Sequence, residues 1–286
     1  MTTPARIAFQ GELGAFSEEA IRNLDPHARA VPCREFIDVA QAVERGEADA
    51  GMLPIENTLA GSVVGSYDAL TTCESLYVTA ETVVEIHHCV LAPRGASLAA
   101  LATIESHPVA LAQCTRWLRA HPTLTARAAY DTAGAARDVA QRSDPSSAAI
   151  AGRGAAARYD LEILDANIED RSDNQTRFLM VSRAPFPLDR GVAARTALLI
   201  TTPNVPGALL RVLEPLAANG INMSKLESRP TEEPWHYRFF LELDHAAADP
   251  SLATALEQLR DATESLRVLG TYSRWLAGRR QEHVAD

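Results

Sequence analysis

The feature that most narrows the fold is an alternation of short apolar runs with amphipathic stretches, broken once near residue 185. Ile7-Ala8-Phe9 runs into Gly11 and Gly14, and a helical pattern opens at Phe16-Ser17-Glu18-Glu19-Ala20. A helix-like stretch from Phe36 to Arg45 leads into the apolar Ala50-Gly51-Met52-Leu53-Pro54. The rhythm continues with Val83-Val84-Glu85-Ile86, a helix-like Ala110 to Ala120, and Ala126 to Tyr130. A helix from Thr132 to Gln141, the strand Ala148-Ala149-Ile150-Ala151 and a small-residue helix from Gly152 to Tyr159 follow. Strand and helix periods alternating in this way predict an α/β architecture with largely parallel sheet, its ligands lying where helix N-termini face strand ends.

Pro185-Phe186-Pro187-Leu188-Asp189-Arg190-Gly191 interrupts the pattern, and two prolines and a glycine so close together read as a linker. Beyond it the chain turns to strands near Thr196–Thr201, Asn222–Glu227, Tyr237–Glu242 and Leu266–Thr271, with helices near Gly207–Ala218 and Ser251–Ala262. A βαββαβ order in about 80 residues is the ferredoxin-like arrangement, with helices on one sheet face. Two domains are therefore expected, with the boundary at 186–193.

Charge removes several functions. The chain carries 27 Lys and Arg against 37 Asp and Glu, a net charge of −10, with no basic stripe to neutralise phosphates. Nucleic-acid and anionic-membrane binding are disfavoured. The four cysteines, Cys33, Cys73, Cys89 and Cys114, are scattered and imply neither a zinc site nor a disulfide scaffold. No apolar stretch approaches the ~20 residues that span a bilayer, and the N-terminus leads straight into a strand. A cytoplasmic location with reduced thiols is expected.

Several polar segments sit where chemistry would be placed. Gly11-Glu12-Leu13-Gly14-Ala15-Phe16-Ser17 is a glycine-punctuated turn between strand and helix, whose amides and Ser17 suit a carboxylate; most such turns merely cap helices. Glu56-Asn57-Thr58 ends a strand, either as an Asx turn or as site residues. Ser106 suits a helix cap ahead of Pro108, and Gln113 projects into that mouth or to solvent. Asp173-Asn174-Gln175-Thr176-Arg177-Phe178 opens the apolar run Leu179-Met180-Val181, an unusual concentration of hydrogen-bonding groups at a strand entry. His87-His88 after Glu85 is a weak metal signal, since neighbours on a strand face opposite sides.

Taken in order, these motifs resemble the prephenate dehydratase family, which includes the arogenate dehydratases. The resemblance covers essentially the whole chain and rests on Gly11-Glu-Leu-Gly-Ala-Phe-Ser-Glu-Glu-Ala20, Leu53-Pro-Ile-Glu-Asn57 with Gly61-Ser-Val and Tyr67-Asp-Ala-Leu70, Ser106-His-Pro with Ala112-Gln-Cys114, Asp131-Thr-Ala-Gly-Ala-Ala136 and Asn174-Gln-Thr-Arg-Phe178. Pro206-Gly-Ala-Leu209 and Glu227-Ser-Arg-Pro230 resemble the phenylalanine-binding motifs of an ACT regulatory module. The chain departs from the commoner bacterial pattern at Gly11-Glu12, where that pattern has Gly-Pro. Asp131–Ala136 and Phe178-Leu-Met180 look like the plant-type branch, in which arogenate is often the substrate.

The resemblance implies a catalytic domain at 1–186 of two lobes like type II periplasmic binding proteins, about 4–80 plus 166–184 and 84–164, an ACT domain at 193–276 and a tail at 277–286. It implies cofactor-free, metal-free decarboxylative dehydration of prephenate to phenylpyruvate, or of arogenate to phenylalanine. Catalytic roles fall on Thr176, Asn57, Ser106, Gln113 and Glu56, with Thr176 at the departing hydroxyl. Substrate contacts fall on Arg177, Phe178, Gly14, Ala15 and Ser17, with Phe178 touching the ring or simply packing. Phenylalanine as feedback effector would bind near Gly207, Ala208, Leu209, Asn222, Glu227, Ser228 and Arg229 in a homodimer or homotetramer. A rival from another class is a non-catalytic amino-acid sensor built on the same lobes.

Overall fold

The computed structural model describes residues 4–275; the expected tail at 277–286 lies outside them, as does residue 276. The described residues form two compact units, one of residues 4–74 together with 82–179, the other of 75–81 together with 180–275.

The first unit begins with β1 (Arg6–Gln10), α1 (Phe16–Leu24), β2 (Arg29–Cys33), α2 (Phe36–Glu44), β3 (Ala50–Asn57), β4 (Gly61–Ser62) and α3 (Val64–Thr72), followed by β5 (Tyr77–Glu85), whose residues 77–81 count with the second unit. Helix α1 forms because Ser17, Ala20, Ile21 and Leu24 bury one stripe. Helix α2 opens with a reciprocal capping box, in which the Glu35 amide donates to Asp38 Oδ2 at 2.9 Å. A second sheet follows from β6 (Cys89–Ala92), β7 (Thr103–Ser106), β8 (Thr125–Ala128), β9 (Ser147–Ala151) and β10 (Glu162–Ala166). Its helices are α4 (Pro108–Ala112), α5 (Thr115–Ala120), α6 (Thr132–Arg142) and α7 (Arg153–Tyr159). The chain then returns as β11 (Gln175–Ser182) to complete the first sheet, in the order β2-β1-β3-β11-β5. The polar segment at 173–178 therefore enters an interior strand.

Both sheets are mixed, which corrects the expectation of largely parallel pairing. β1 runs parallel to β2 and β3, but the second sheet, ordered β10-β6-β9-β7-β8, pairs β6 antiparallel to both β10 and β9. Central β9 is buried along its whole length, as its Ala-Ala-Ile-Ala run requires. It packs in a core with Val90, Ile104, Cys114 and Ile168.

The helix expected over 110–120 is two helices. The Gln113 carbonyl accepts the Asp170 amide at 2.6 Å, and the Asp170 carboxylate accepts the Thr115 amide at 3.1 Å and the Arg116 amide at 2.8 Å. That carboxylate starts α5 as an external cap.

In the second unit, β12 (Ala193–Thr201), α8 (Ala208–Ala218), β13 (Asn222–Pro230), β14 (Tyr237–Ala246), α9 (Pro250–Ala262) and β15 (Ser265–Ser273) give the expected βαββαβ order. The sheet is antiparallel, ordered β13-β14-β12-β15, so β13 is an edge strand. Leu198, Ile200, Leu241 and Leu243 pack with Val212 and Leu216 of α8 and Leu259 of α9. Among the described residues no helix is long and apolar enough to cross a membrane.

Candidate active site

Within the first unit a cavity of about 810 Å³ is lined largely by apolar side chains, including Phe16, Phe36, Val63 and Ile86. Polar side chains from several elements also face it, as in a small-molecule site. They include Asn57 from the end of β3, Thr176 from the start of β11, and Gln113 from the break between α4 and α5.

Backbone geometry fixes the orientation of Asn57. Its Oδ1 accepts the amides of Leu59 (3.0 Å) and Ala60 (2.8 Å), so its Nδ2 is the donor at the other end. Nδ2 donates to Thr176 Oγ1 at 2.9 Å and to Asn174 Oδ1 at 2.8 Å, and lies 3.1 Å from the Gln175 carbonyl. An Asx turn is thus present, and it also sets the active amide. Because Thr176 Oγ1 accepts from Asn57, its own hydrogen remains available to the cavity.

The same logic runs on from Asn174. With its oxygen taken by Asn57, its Nδ2 donates to Gln113 Oε1 at 3.1 Å. That oxygen also meets His88 Nε2 at 3.0 Å, so the proton of a neutral His88 sits on Nε2. His88 is buried and lines the cavity; burial holds its pKa below the usual histidine range, against the raising effect of the Gln113 bond. Its Nδ1 is buried without a hydrogen-bond partner among the described residues.

Other expected site residues lie elsewhere. Ser106 is fully buried and its Oγ donates to the Ile150 carbonyl at 2.6 Å; it does not cap α4, whose cap is His107, with Nδ1 accepting the Val109 amide. Arg177 meets Glu56 at 3.5 Å, and neither lines the cavity, since successive strand residues face opposite sides and put them behind Thr176 and Asn57. Phe178 is 2% exposed and packs in the core. The Gly14 amide, expected to be free for a carboxylate, donates to Glu18 Oε2 at 2.6 Å. A Cβ on Gly14 would stand 2.8 Å from Ala155 Cα, so the glycine is required for packing. Ala15 and Ser17 are buried beside it, and Phe16 is the residue of this turn that reaches the cavity.

His87 and His88 lie between β5 and β6 rather than on a strand, and they part company: His87 Nδ1 is 2.7 Å from Glu169 Oε1. Glu169 Oε2 also accepts the His88 amide at 2.9 Å. Cavity residues not anticipated as site residues include His88, Arg34, His107 and Tyr130. Asn174 and Asp131, quoted only inside motifs, prove to be a hydrogen-bond link and a cavity-wall carboxylate. No local spacing signals the role of Asn174, because its partners Asn57 and Gln113 are distant in sequence, whereas Asp131 is the local N-cap of α6.

In the second unit, Gly207 adopts φ +77 at the start of α8, ahead of Ala208 and Leu209. Asn222, Glu227, Ser228 and Arg229 all lie on edge strand β13, and Arg229 Nη1 stands 4.0 Å from Glu227 Oε1.

A mixed α/β domain with a cavity that gathers oriented amide and hydroxyl groups, followed by an antiparallel βαββαβ module, is the layout of a small-molecule enzyme with an ACT domain. The prephenate dehydratase family model matches residues 7–185 and the ACT domain model residues 196–261. Arogenate dehydratase/prephenate dehydratase 2 of Arabidopsis thaliana is 37% identical over 277 residues, 93% of this chain and 72% of that one. The bifunctional chorismate mutase/prephenate dehydratase of Neisseria gonorrhoeae is 36% identical over 272 residues, 94% of this chain and 74% of that one. The solved prephenate dehydratase of Arthrobacter aurescens, in complex with L-Phe, superposes with TM-score 0.87 at 34% identity, covering 94% of this chain and 90% of that one. GqqA, described as a novel type of quorum-quenching acylase, also gives TM-score 0.87, at 36% identity, covering 94% and 98%. The chain belongs to the prephenate dehydratase family of carbon–oxygen lyases, with a C-terminal ACT domain.

Proposed function

We propose that this chain converts prephenate to phenylpyruvate, carbon dioxide and water. The bond from the ring to its carboxylate breaks and its electron pair enters the ring. The opposite carbon–oxygen bond breaks at the same time, and its pair leaves with the oxygen as hydroxide, which takes a proton from solvent to become water. Aromatisation drives the step. The protein's part is to hold the diene still and to disperse charge on the departing oxygen. The observation that carries this reading is the 2.9 Å bond from Asn57 Nδ2 to Thr176 Oγ1, which turns the Thr176 hydrogen towards the cavity. A hydroxyl donor set among apolar walls suits a leaving hydroxide better than it suits a hydrolytic nucleophile. An acylase reading, as described for GqqA, gains no support at this cavity: the partner of Thr176 is an amide donor rather than a base, and the Ser106 hydroxyl is spent on Ile150.

Phenylalanine is the proposed effector of the ACT domain, binding near Gly207 and β13, and the L-Phe held by the Arthrobacter relative supports that assignment. The outer edge of β13, unpaired among the described residues, suits pairing with a second copy in a homodimer or homotetramer. Incubation of the purified chain with prephenate should yield phenylpyruvate and carbon dioxide in equal amounts, at a rate that phenylalanine lowers. Absence of both products would overturn the catalytic reading in favour of a ligand sensor. Turnover indifferent to phenylalanine, with no shift in Tm or oligomeric state, would remove only the regulatory part.

A further inference from the structure

Three consecutive residues, Ile168, Glu169 and Asp170, hold the backbone at both ends of one side-chain pair. The Asp170 amide donates to the Gln113 carbonyl at 2.6 Å and the Ile168 amide to the His88 carbonyl at 3.0 Å. Glu169 Oε2 accepts the His88 amide at 2.9 Å. The His88 ring is fixed as well. It meets Phe16 edge to face, with centroids 5.9 Å apart and planes at 79°. A Cβ on Gly152 would stand 3.0 Å from the Phe16 ring, so the glycine lets that ring sit where it does.

His88 is 2% exposed, and one neutral tautomer fits its surroundings. A proton on Nδ1 would be buried with no acceptor among the described residues, and Nε2 would then face Gln113 Oε1 lone pair to lone pair at 3.0 Å. With the proton on Nε2, two donors converge on the Gln113 oxygen, His88 Nε2 at 3.0 Å and Asn174 Nδ2 at 3.1 Å, and both of its lone pairs are used. Gln113 Nε2 makes no hydrogen bond among the described residues, and Gln113 lines the cavity. Both of its hydrogens are left for a ligand. A group that only donates takes an oxygen acceptor, and prephenate brings carboxylates.

We propose that His88 is a positioning residue for the reaction: through Gln113 Oε1 it holds the Gln113 amide so that Nε2 donates to a carboxylate oxygen of the substrate. This rests on the proposed function and adds to it a residue outside the motifs that identify the site in the sequence. Asn174 alone would leave the oxygen with one donor and the amide free to tilt about its broad terminal torsion. A substrate carboxylate is charged before the chemical step begins, so this donor acts on binding. Thr176 differs, since charge develops on the departing oxygen only during that step.

Steady-state kinetics on prephenate in the full chain test the assignment. His88→Asn keeps an amide but falls short of Gln113, and KM should rise about tenfold while kcat changes less than about threefold. His88→Met, which has no N–H, should give the same rise and stands in for the first variant if that one folds poorly. His88→Gln is long enough to place an N–H near the same point and should recover most of the loss. In a Gln113→Met background, His88→Asn should add little, because the two side chains act as one unit. An unchanged KM in both His88→Asn and His88→Met, whatever happens to Tm, overturns the inference and leaves His88 a structural residue. An equal KM rise in His88→Gln, a loss confined to kcat, or full additivity in the Gln113→Met background also overturns it, while wild-type turnover leaves the function standing. A wild-type chain inactive on prephenate overturns the function itself, and this inference with it.

Discussion

Asn57 Nδ2 stands 2.9 Å from Thr176 Oγ1, and the opposite end of the same amide is pinned by the backbone of Leu59 and Ala60. The turn after β3 therefore determines which way a hydroxyl on β11 points. Asn57 donates to Asn174 and Asn174 to Gln113, and the Gln113 oxygen, which also accepts from His88, closes the network. A preorganised donor of this kind needs no reorganisation when charge develops on a leaving oxygen.

Removing that donor should cost rate without costing the fold. Thr176→Val keeps the shape and loses the hydroxyl, and kcat is expected to drop on the order of 10²–10³, as for loss of one preorganised donor. Thr176→Ser should recover most of the loss. Turnover near the wild-type level in a Thr176→Val protein with an unchanged melting curve would remove Thr176 from the mechanism.

The Arg177 guanidinium, expected to bind a substrate carboxylate, lies 3.5 Å from Glu56 and outside the cavity lining. Its replacement should then act on stability. Arg177→Lys is expected to lower Tm by a few degrees, as ~1 kcal/mol does in a domain of this size, and to shift KM less than about threefold. A tenfold rise in KM with Tm unchanged would restore Arg177 to the substrate.

How far the sequence carries can be judged from these residues. Helices starting at Phe16, Phe36 and Thr132 were legible because local periodicity and capping determine them. The break at Gln113 was not, because its cause is Asp170, from a loop far along the chain. Ser106 looked like a cap, yet the carbonyl of Ile150 on a neighbouring strand claims its hydroxyl. Antiparallel pairing of β6 escaped notice for the same reason: apolar runs on a strand buried on both faces read alike in either direction. The motif residues Asn57, Gln113 and Thr176 do meet at one cavity, but His88 and Arg34 enter it only through tertiary contacts.

Buried charge in the second unit gives a sharper stability test. Arg195 is 2.9 Å from Glu81, 2.8 Å from Asp244 and 3.7 Å from Glu242, with Arg274 3.1 Å from Asp244. Burial disfavours the charge on Arg195, but Asp244, Glu81 and Glu242 outweigh it and hold its pKa above the usual value. Arg195→Ala leaves these carboxylates without their shared cation, and such losses cost about 3–5 kcal/mol. Chemical denaturation should register that loss in the second unit. A change below about 1 kcal/mol would show that water reaches the cluster.

The His87–Glu169 pair gives a pH signature whose sign can be worked out. The Glu169 hydrogen bond raises the His87 pKa above 6.5, despite partial burial and with help from Glu85. Burial alone would raise Glu169, but the bonds from the His87 ring and the His88 amide win and hold it below 4.5. A raised histidine stabilises the fold fully below its unfolded pKa and loses that contribution as pH rises through the folded value. A depressed carboxylate stabilises above its unfolded pKa and loses its part as pH falls through the folded value. Both contributions are therefore present between 4.5 and 6.5. His88 shifts the opposite way, and comparing wild type with His87→Gln largely cancels its effect, since it is present in both. The Tm advantage of wild type over His87→Gln should be largest near about pH 6 and should shrink by about pH 8.5 as His87 loses its proton. An advantage that grows across that interval would mean that His87 is neutral in the folded protein and that Glu169 is held by the His88 amide alone.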